Sequence, residues 1–169
     1  PFCVHARYET QRAILGDVVA ALHLQGIRKL IIVNGHGGNS FKNMIRDLSV
    51  DFPDFLIAIT NWYGIVPQEG YFENKDDHAG ELETSVMMYY HPELVNLEEA
   101  GEGASKPFAL SSLNAQIAWL PRYWSKVSAD TGIGDPRKST PEKGERYAKA
   151  VIEKLALLFT EIGSKEVYL

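Results

Sequence analysis

The stretch Leu30-Ile31-Ile32-Val33-Asn34-Gly35-His36-Gly37-Gly38-Asn39-Ser40 decides how this chain folds. Its first four residues are aliphatic and do not alternate, the pattern of a strand covered on both faces in a parallel sheet. The next seven set one imidazole among glycines and turn-forming residues. Beyond them Phe41, Met44, Ile45 and Leu48 recur at helical spacing, with Asn39 or Ser40 placed to cap, until Pro53. Phe55-Leu56-Ile57-Ala58-Ile59-Thr60 then predicts a second buried strand. Strand, Gly-rich turn, helix and strand within about 30 residues make a βαβ unit, whose right-handed crossover places helices on the sheet faces.

Working outward, Ile14, Leu15, Val18, Val19 and Leu22 predict an amphipathic helix from Thr10, stopped by a left-handed Gly26. On the other side a polar stretch follows Asn61-Trp62-Tyr63-Gly64. A third helix is expected from near Glu81 to Pro92, with Leu82, Val86 and Tyr89 or Tyr90 on one side and Glu81, Ser85 and Met88 on another. Residues 97–135 are broken by glycines and prolines and are expected to be irregular. Ser139 and Glu142 have capping-box spacing and Pro141 suits a first turn. The final helix therefore carries Tyr147, Val151, Leu155, Leu158 and Ile162 inward. The whole chain, 1–169, reads as one α/β domain.

Composition narrows the function classes. A net charge of -5 disfavours a broad phosphate-binding surface, so nucleic acid is not an expected partner. Cys3 is the only cysteine, which excludes a disulfide framework and a thiolate zinc site within the chain. No apolar run approaches a membrane span and the first residues lack a signal-peptide pattern, which points to the cytoplasm and to no membrane partner. The chain starts at Pro1 and is almost at once in a helix, so an amino-terminal segment is expected to precede it.

Two clusters carry chemistry. His36 stands at the carboxyl end of a predicted parallel strand, where open α/β sheets bind ligands, with Asn34 and Asn39 adding amide donors and acceptors. A phosphate-cradling loop, with His36 incidental, is the alternative there. In Asp76-Asp77-His78-Ala79-Gly80-Glu81-Leu82-Glu83-Thr84-Ser85, four carboxylates crowd one histidine within eight positions. Oxygen and imidazole donors without thiolate suit Zn, Mn or Fe in a hydrolytic site. Glu81 and Glu83 could equally just favour the positive end of a helix. His23 and His91 fit helix carboxyl termini, and Trp62, Tyr63, Trp119 and Trp124 could wall a pocket or fill a core.

Taken in order, Ile32-Val33-Asn34-Gly35-His36-Gly37-Gly38-Asn39, then His78-Ala79-Gly80-Glu81-Leu82-Glu83-Thr84-Ser85, then Gly132-Ile133-Gly134-Asp135-Pro136, resemble the creatininase family of amidohydrolases. The resemblance implies a three-layer α/β/α sandwich with a mostly parallel sheet, of which this chain lacks the amino-terminal part. It also implies two divalent metal ions per site with a bridging water, and a homo-oligomer. Carried over by position, His36 is a metal ligand and His78 a proton carrier to the leaving atom. Creatinine-cleaving members place a metal-binding glutamate where Gly38 stands here. Glu81 is chosen as the replacement metal ligand, with Glu83 supporting catalysis and Asn39, Trp62 and Asp77 contacting substrate. Those members also carry a tryptophan at the position of Asn74, which argues against creatinine itself.

The family's Glu-x-His motif and metal-bridging aspartate do not precede Tyr8, so a missing segment or a second chain is expected to supply them. The expected activity is hydrolysis of a small cyclic or formyl amide, or a related ring carbonyl, by metal-activated water. Alternatives are ring opening of an oxidised inositol and a non-catalytic assembly subunit retaining the fold.

Overall fold

The computed structural model describes residues 5–74 and 77–168. Cys3, and Asp76 of the acidic cluster, fall outside them. The described chain forms two compact units, one of residues 1–65 and 154–169 and the other of 66–153.

The first unit is the predicted βαβ element with a helix ahead of it. Helix α1 (Tyr8–Leu24) ends at Gly26, whose φ of 85° is the left-handed stop that a β-carbon would oppose. Strand β1 (Lys29–Asn34) leads through the glycine turn to α2 (Lys42–Asp51), and β2 (Leu56–Asn61) returns parallel to β1. The pairing runs without offset from Lys29 with Leu56 to Asn34 with Asn61. Val19, Leu48, Phe55 and Ile57 form the buried core, with Leu15, Leu22, Leu30 and Ile32 packed against it.

Two expectations are corrected here. Strand β1 is only half covered among the described residues, with Val33 46% exposed. Helix α2 has no side-chain cap, because its N-cap is Phe41 and the Asn39 amide donates instead to Asn34 Oδ1 at 3.0 Å.

In the second unit α3 (Glu81–Tyr90) starts as predicted, but its buried face is not the apolar one. Glu81, Leu82 and Ser85 are buried while Tyr89 and Tyr90 are exposed. The reason lies in α6 (Pro141–Ser164), whose amino-terminal half packs on this unit. Gly144 comes so close that a β-carbon there would stand 2.0 Å from the Ser85 carbonyl oxygen. Such backbone contact selects small and hydrogen-bonding residues over bulky apolar ones. Ser139 Oγ donates to the Glu81 carbonyl at 3.2 Å, and Ser85 Oγ accepts from Thr140 N–H at 3.2 Å. The hydroxyl accepting from the Lys143 N–H at the head of α6 is that of Thr140, one residue after the Ser139 expected in the capping box. Tyr147 is fully buried and donates to the Val66 carbonyl at 3.0 Å.

The segment expected to be irregular holds two short α-helices, α4 (Ser111–Asn114) and α5 (Trp124–Val127), and one 3-10 turn at Leu97–Glu99. Asp130 organises it. Its carboxylate accepts from Ser128 Oγ and from the N–H groups of Gly103 and Gly132, which lower its pKa, the Ser128 hydroxyl contributing most. No helix among the described residues is long and apolar enough to cross a membrane.

Candidate functional site

The glycine turn of the first unit is built around Asn34, 3% exposed at the end of β1. Its amide nitrogen donates to the His36 carbonyl at 2.9 Å and to Asn61 Oδ1 at 2.8 Å. Its amide oxygen accepts from Asn39 Nδ2 at 3.0 Å and from His36 N–H at 3.3 Å. One buried side chain thus ties both strand ends to the turn. Trp62, expected at the substrate, donates from its indole to the Gly35 carbonyl at 3.2 Å, so its polar edge serves the turn itself.

His36 is solvent-exposed, and its Nδ1 accepts from Gly38 N–H at 2.9 Å. In the neutral ring that arrangement places the proton on Nε2. A cation could take Nδ1 only by displacing the Gly38 contact, or Nε2 only after the proton moves or the ring turns over. Gly38 is itself confined, since a β-carbon there would lie 3.0 Å from the His36 ring. A cavity of about 700 Å³ opens in this unit beside Asn39, Lys42, Asn61 and Tyr63.

The second cluster is held between two anchors. Asp77 N–H and His78 N–H both donate to the Ile133 carbonyl, at 2.9 and 3.0 Å, and Ile133 N–H returns to the His78 carbonyl at 2.8 Å. This pairing uses the Gly132-Ile133-Gly134 stretch as a wall for the histidine. Ala79 follows at φ 52°, a left-handed position unusual for a residue with a side chain. The turn this creates lets Ala79 N–H donate to Glu83 Oε2 at 2.7 Å. That oxygen lies 4.0 Å from His78 Nδ1, an ion-pair distance too long for a direct hydrogen bond.

Two side chains around His78 carried no motif. The Trp124 ring lies 4.8 Å from the imidazole, centre to centre and tilted by 56°, and the Arg122 guanidinium sits 5.8 Å above the indole. Arg122 also pairs with the Asp77 carboxylate, the group expected to meet substrate. The sole hint of Trp124 was that it is aromatic; Arg122 had none, because both follow an irregular segment whose path no periodicity fixes. A cavity of about 500 Å³ is lined here by Asp77, Phe108, Asn114, Trp119, Arg122 and Ile133.

Glu81, expected to hold a metal, is fully buried and its carboxylate is taken by other donors. Oε1 accepts from the Lys143 ammonium at 2.5 Å, and Oε2 from the N–H groups of Glu73 and Asn74 at 3.0 and 2.8 Å. His36 belongs to the first unit and Glu81 to the second. Among the described residues no three His, Cys, Asp or Glu side chains gather as a metal-binding group. By themselves the residues at hand do not fit a two-metal centre: His36 Nδ1 accepts from Gly38 N–H, and both Glu81 oxygens are engaged by Lys143, Glu73 and Asn74.

Known proteins supply the context. A crystal structure from Bacteroides fragilis NCTC 9343, solved as a candidate creatinine amidohydrolase, is 62% identical with a TM-score of 0.96, covering 100% of this chain and 67% of its own. A mutant creatininase of Zn-Zn type, 21% identical, matches at TM-score 0.72 over 94% of this chain and 66% of its own, and so shares the fold. The mycofactocin precursor peptide peptidase of Mycobacterium tuberculosis is 30% identical over 75% of this chain. The chain spans 45% of that relative's length. The mostly parallel α/β architecture is thus the one expected. The family model for creatininase, described as creatinine amidohydrolase, matches residues 1–159, and the chain belongs to the creatininase family.

Proposed function

We propose that the full-length protein is a metal-dependent hydrolase of the creatininase type, acting on a small cyclic or formyl amide or a related ring carbonyl. The observation that carries this is the His78 imidazole with Glu83 4.0 Å from its Nδ1, on a backbone pinned on one side by Ile133 and on the other by the Ala79 turn. An imidazole so restrained is suited to hand a proton to a leaving nitrogen or ring atom. The Glu83 carboxylate stands at ion-pair distance, and Trp124 against the face of the ring limits its rotation.

Zinc and manganese, the metals named for creatininase structures of this fold, would supply Lewis-acid polarisation of the carbonyl and a hydroxide near neutral pH. His36 is the proposed ligand within this chain, after release of Gly38 N–H, and the remaining ligands would come from outside the described residues. The cavity beside Asp77 sets Phe108 and Trp119 among Asp77, Lys106, Asn114, Gln116 and Arg122, a mixed lining suited to an amide that carries both apolar and hydrogen-bonding groups. Asp77 and Trp62 would then act on substrate indirectly, through Arg122 and the glycine turn, and Asn39 would line the cavity of the first unit.

The test is a turnover screen of the full-length protein loaded with Zn, Mn or Fe on cyclic amides, formyl amides and short peptides. Metal-dependent hydrolysis is expected, with kcat lowered on the order of a hundredfold or more in His78→Gln. No turnover with any metal, or full activity in His78→Gln, would overturn the proposal.

A further inference from the structure

Glu81 carries a buried charge that the proposed chemistry does not use. The Lys143 ammonium has three N–H donors, and each is spent: on Glu81 Oε1 at 2.5 Å, Glu73 Oε1 at 3.2 Å and the Lys138 carbonyl at 2.9 Å. The other Glu81 oxygen holds two successive backbone N–H groups, those of Glu73 and Asn74. Glu73 is gripped again through its side chain by Lys138 at 2.5 Å. Asn74 Nδ2 reaches the Asp135 carbonyl at 3.4 Å, in the same stretch that pairs with His78. A carboxylate on the first turn of α3 and an ammonium on the first turn of α6 thus fasten Glu73 and Asn74. Two carboxylates face two ammonium groups, so the charges close among themselves around Glu81, which has no exposure to water.

We propose that Glu81 and Lys143 form an anchor that fixes Glu73 and Asn74 ahead of His78, making Glu81 a positioning residue and not a metal ligand. Its catalytic consequence rests on His78 being the proton carrier; the anchoring itself does not.

The experiment is amide hydrogen exchange and metal content on the full-length, metal-loaded protein, comparing Glu81→Gln, Lys143→Met and Lys143→Arg. Exchange at the Glu73 and Asn74 amides is expected to accelerate at least tenfold in Glu81→Gln and Lys143→Met, with zinc content unchanged. Lys143→Arg, which restores a cation, is expected to stay within threefold of the natural protein. With a substrate from the turnover screen, Glu81→Gln should lower kcat at least tenfold while KM stays within threefold. If either single variant does not fold, the double variant Glu81→Gln with Lys143→Met buries no unpaired charge and should still show at least threefold faster exchange with zinc retained. Loss of zinc from Glu81→Gln alone, or unchanged exchange at both amides, overturns the proposal. Because exchange needs no substrate, failure of the hydrolase proposal leaves this result readable.

Discussion

The glycine turn that carries His36 and the segment that carries His78 are both irregular, and each is tied down by one buried side chain, but the ties differ in kind. Asn34 is neutral and spreads four moderate hydrogen bonds over the ends of both strands and the turn. Glu81 is a carboxylate whose hold depends on one ammonium and two N–H groups. An amide gives and takes in equal measure, so losing it leaves several small deficits. A buried ion pair is closer to all or nothing, since removing one partner leaves the other charged without water.

The largest effect should therefore come from breaking the charged tie on one side. Lys143→Met, which strands Glu81, is expected to lower unfolding stability by about 3–5 kcal/mol, while replacing Glu81 and Lys143 together with apolar residues should recover most of that loss. Urea denaturation of Lys143→Met, of Glu81→Leu and of the two combined measures it, and additive losses in the double variant would show that the two groups act separately.

A smaller effect is expected from Asn34→Ala, about 1–3 kcal/mol, because its partners Asn39 and Asn61 sit at the edge of water and can be rehydrated. The sharper readout is local. Chemical shifts of the Gly35, Gly37 and Gly38 amides should move while those of Glu73 and Asn74 stay in place. Equal disturbance of both segments would erase the distinction drawn here.

The smallest effect concerns pH. Arg137 holds the Asp135 carboxyl down at about 2 against an ordinary 3.8, through its side-chain hydrogen bonds first and its backbone N–H second. A depressed carboxylate contributes stability that is complete above the ordinary value and lost as pH falls through the lowered one. Denaturation midpoints should therefore decline between pH 3.8 and about 2 in the natural protein and do so less in Asp135→Asn. The pair is partly exposed, so salt should mute the difference. The Asn34 tie has no titrating group and should show no such slope.

Much of this was legible along the chain. The aliphatic run at 30–33, the left-handed Gly26, the helix start at Glu81 and the Pro141 opening of α6 are local matters of periodicity, φ and capping, and the structure has each of them. The candidate site was legible less evenly. His78 and Glu83 stand five positions apart along the chain, but it is the left-handed Ala79 turn ahead of α3 that brings them together.

What the sequence by itself determined is the order of elements, the family, and which residue types are capable of proton transfer, because these depend on neighbours within a few positions or on motif order. Only the tertiary structure decided where the charges go. Lys143 meets Glu81 across 62 residues, and Arg122 meets Asp77 across an irregular segment. Along the chain Glu81 is the carboxylate nearest to hand to replace the glutamate whose place Gly38 takes, and nothing in its spacing shows Lys143. Its partner is supplied by a helix that packs through Gly144 onto Ser85, and packing of that kind is a property of surfaces in space, which no spacing along the chain encodes.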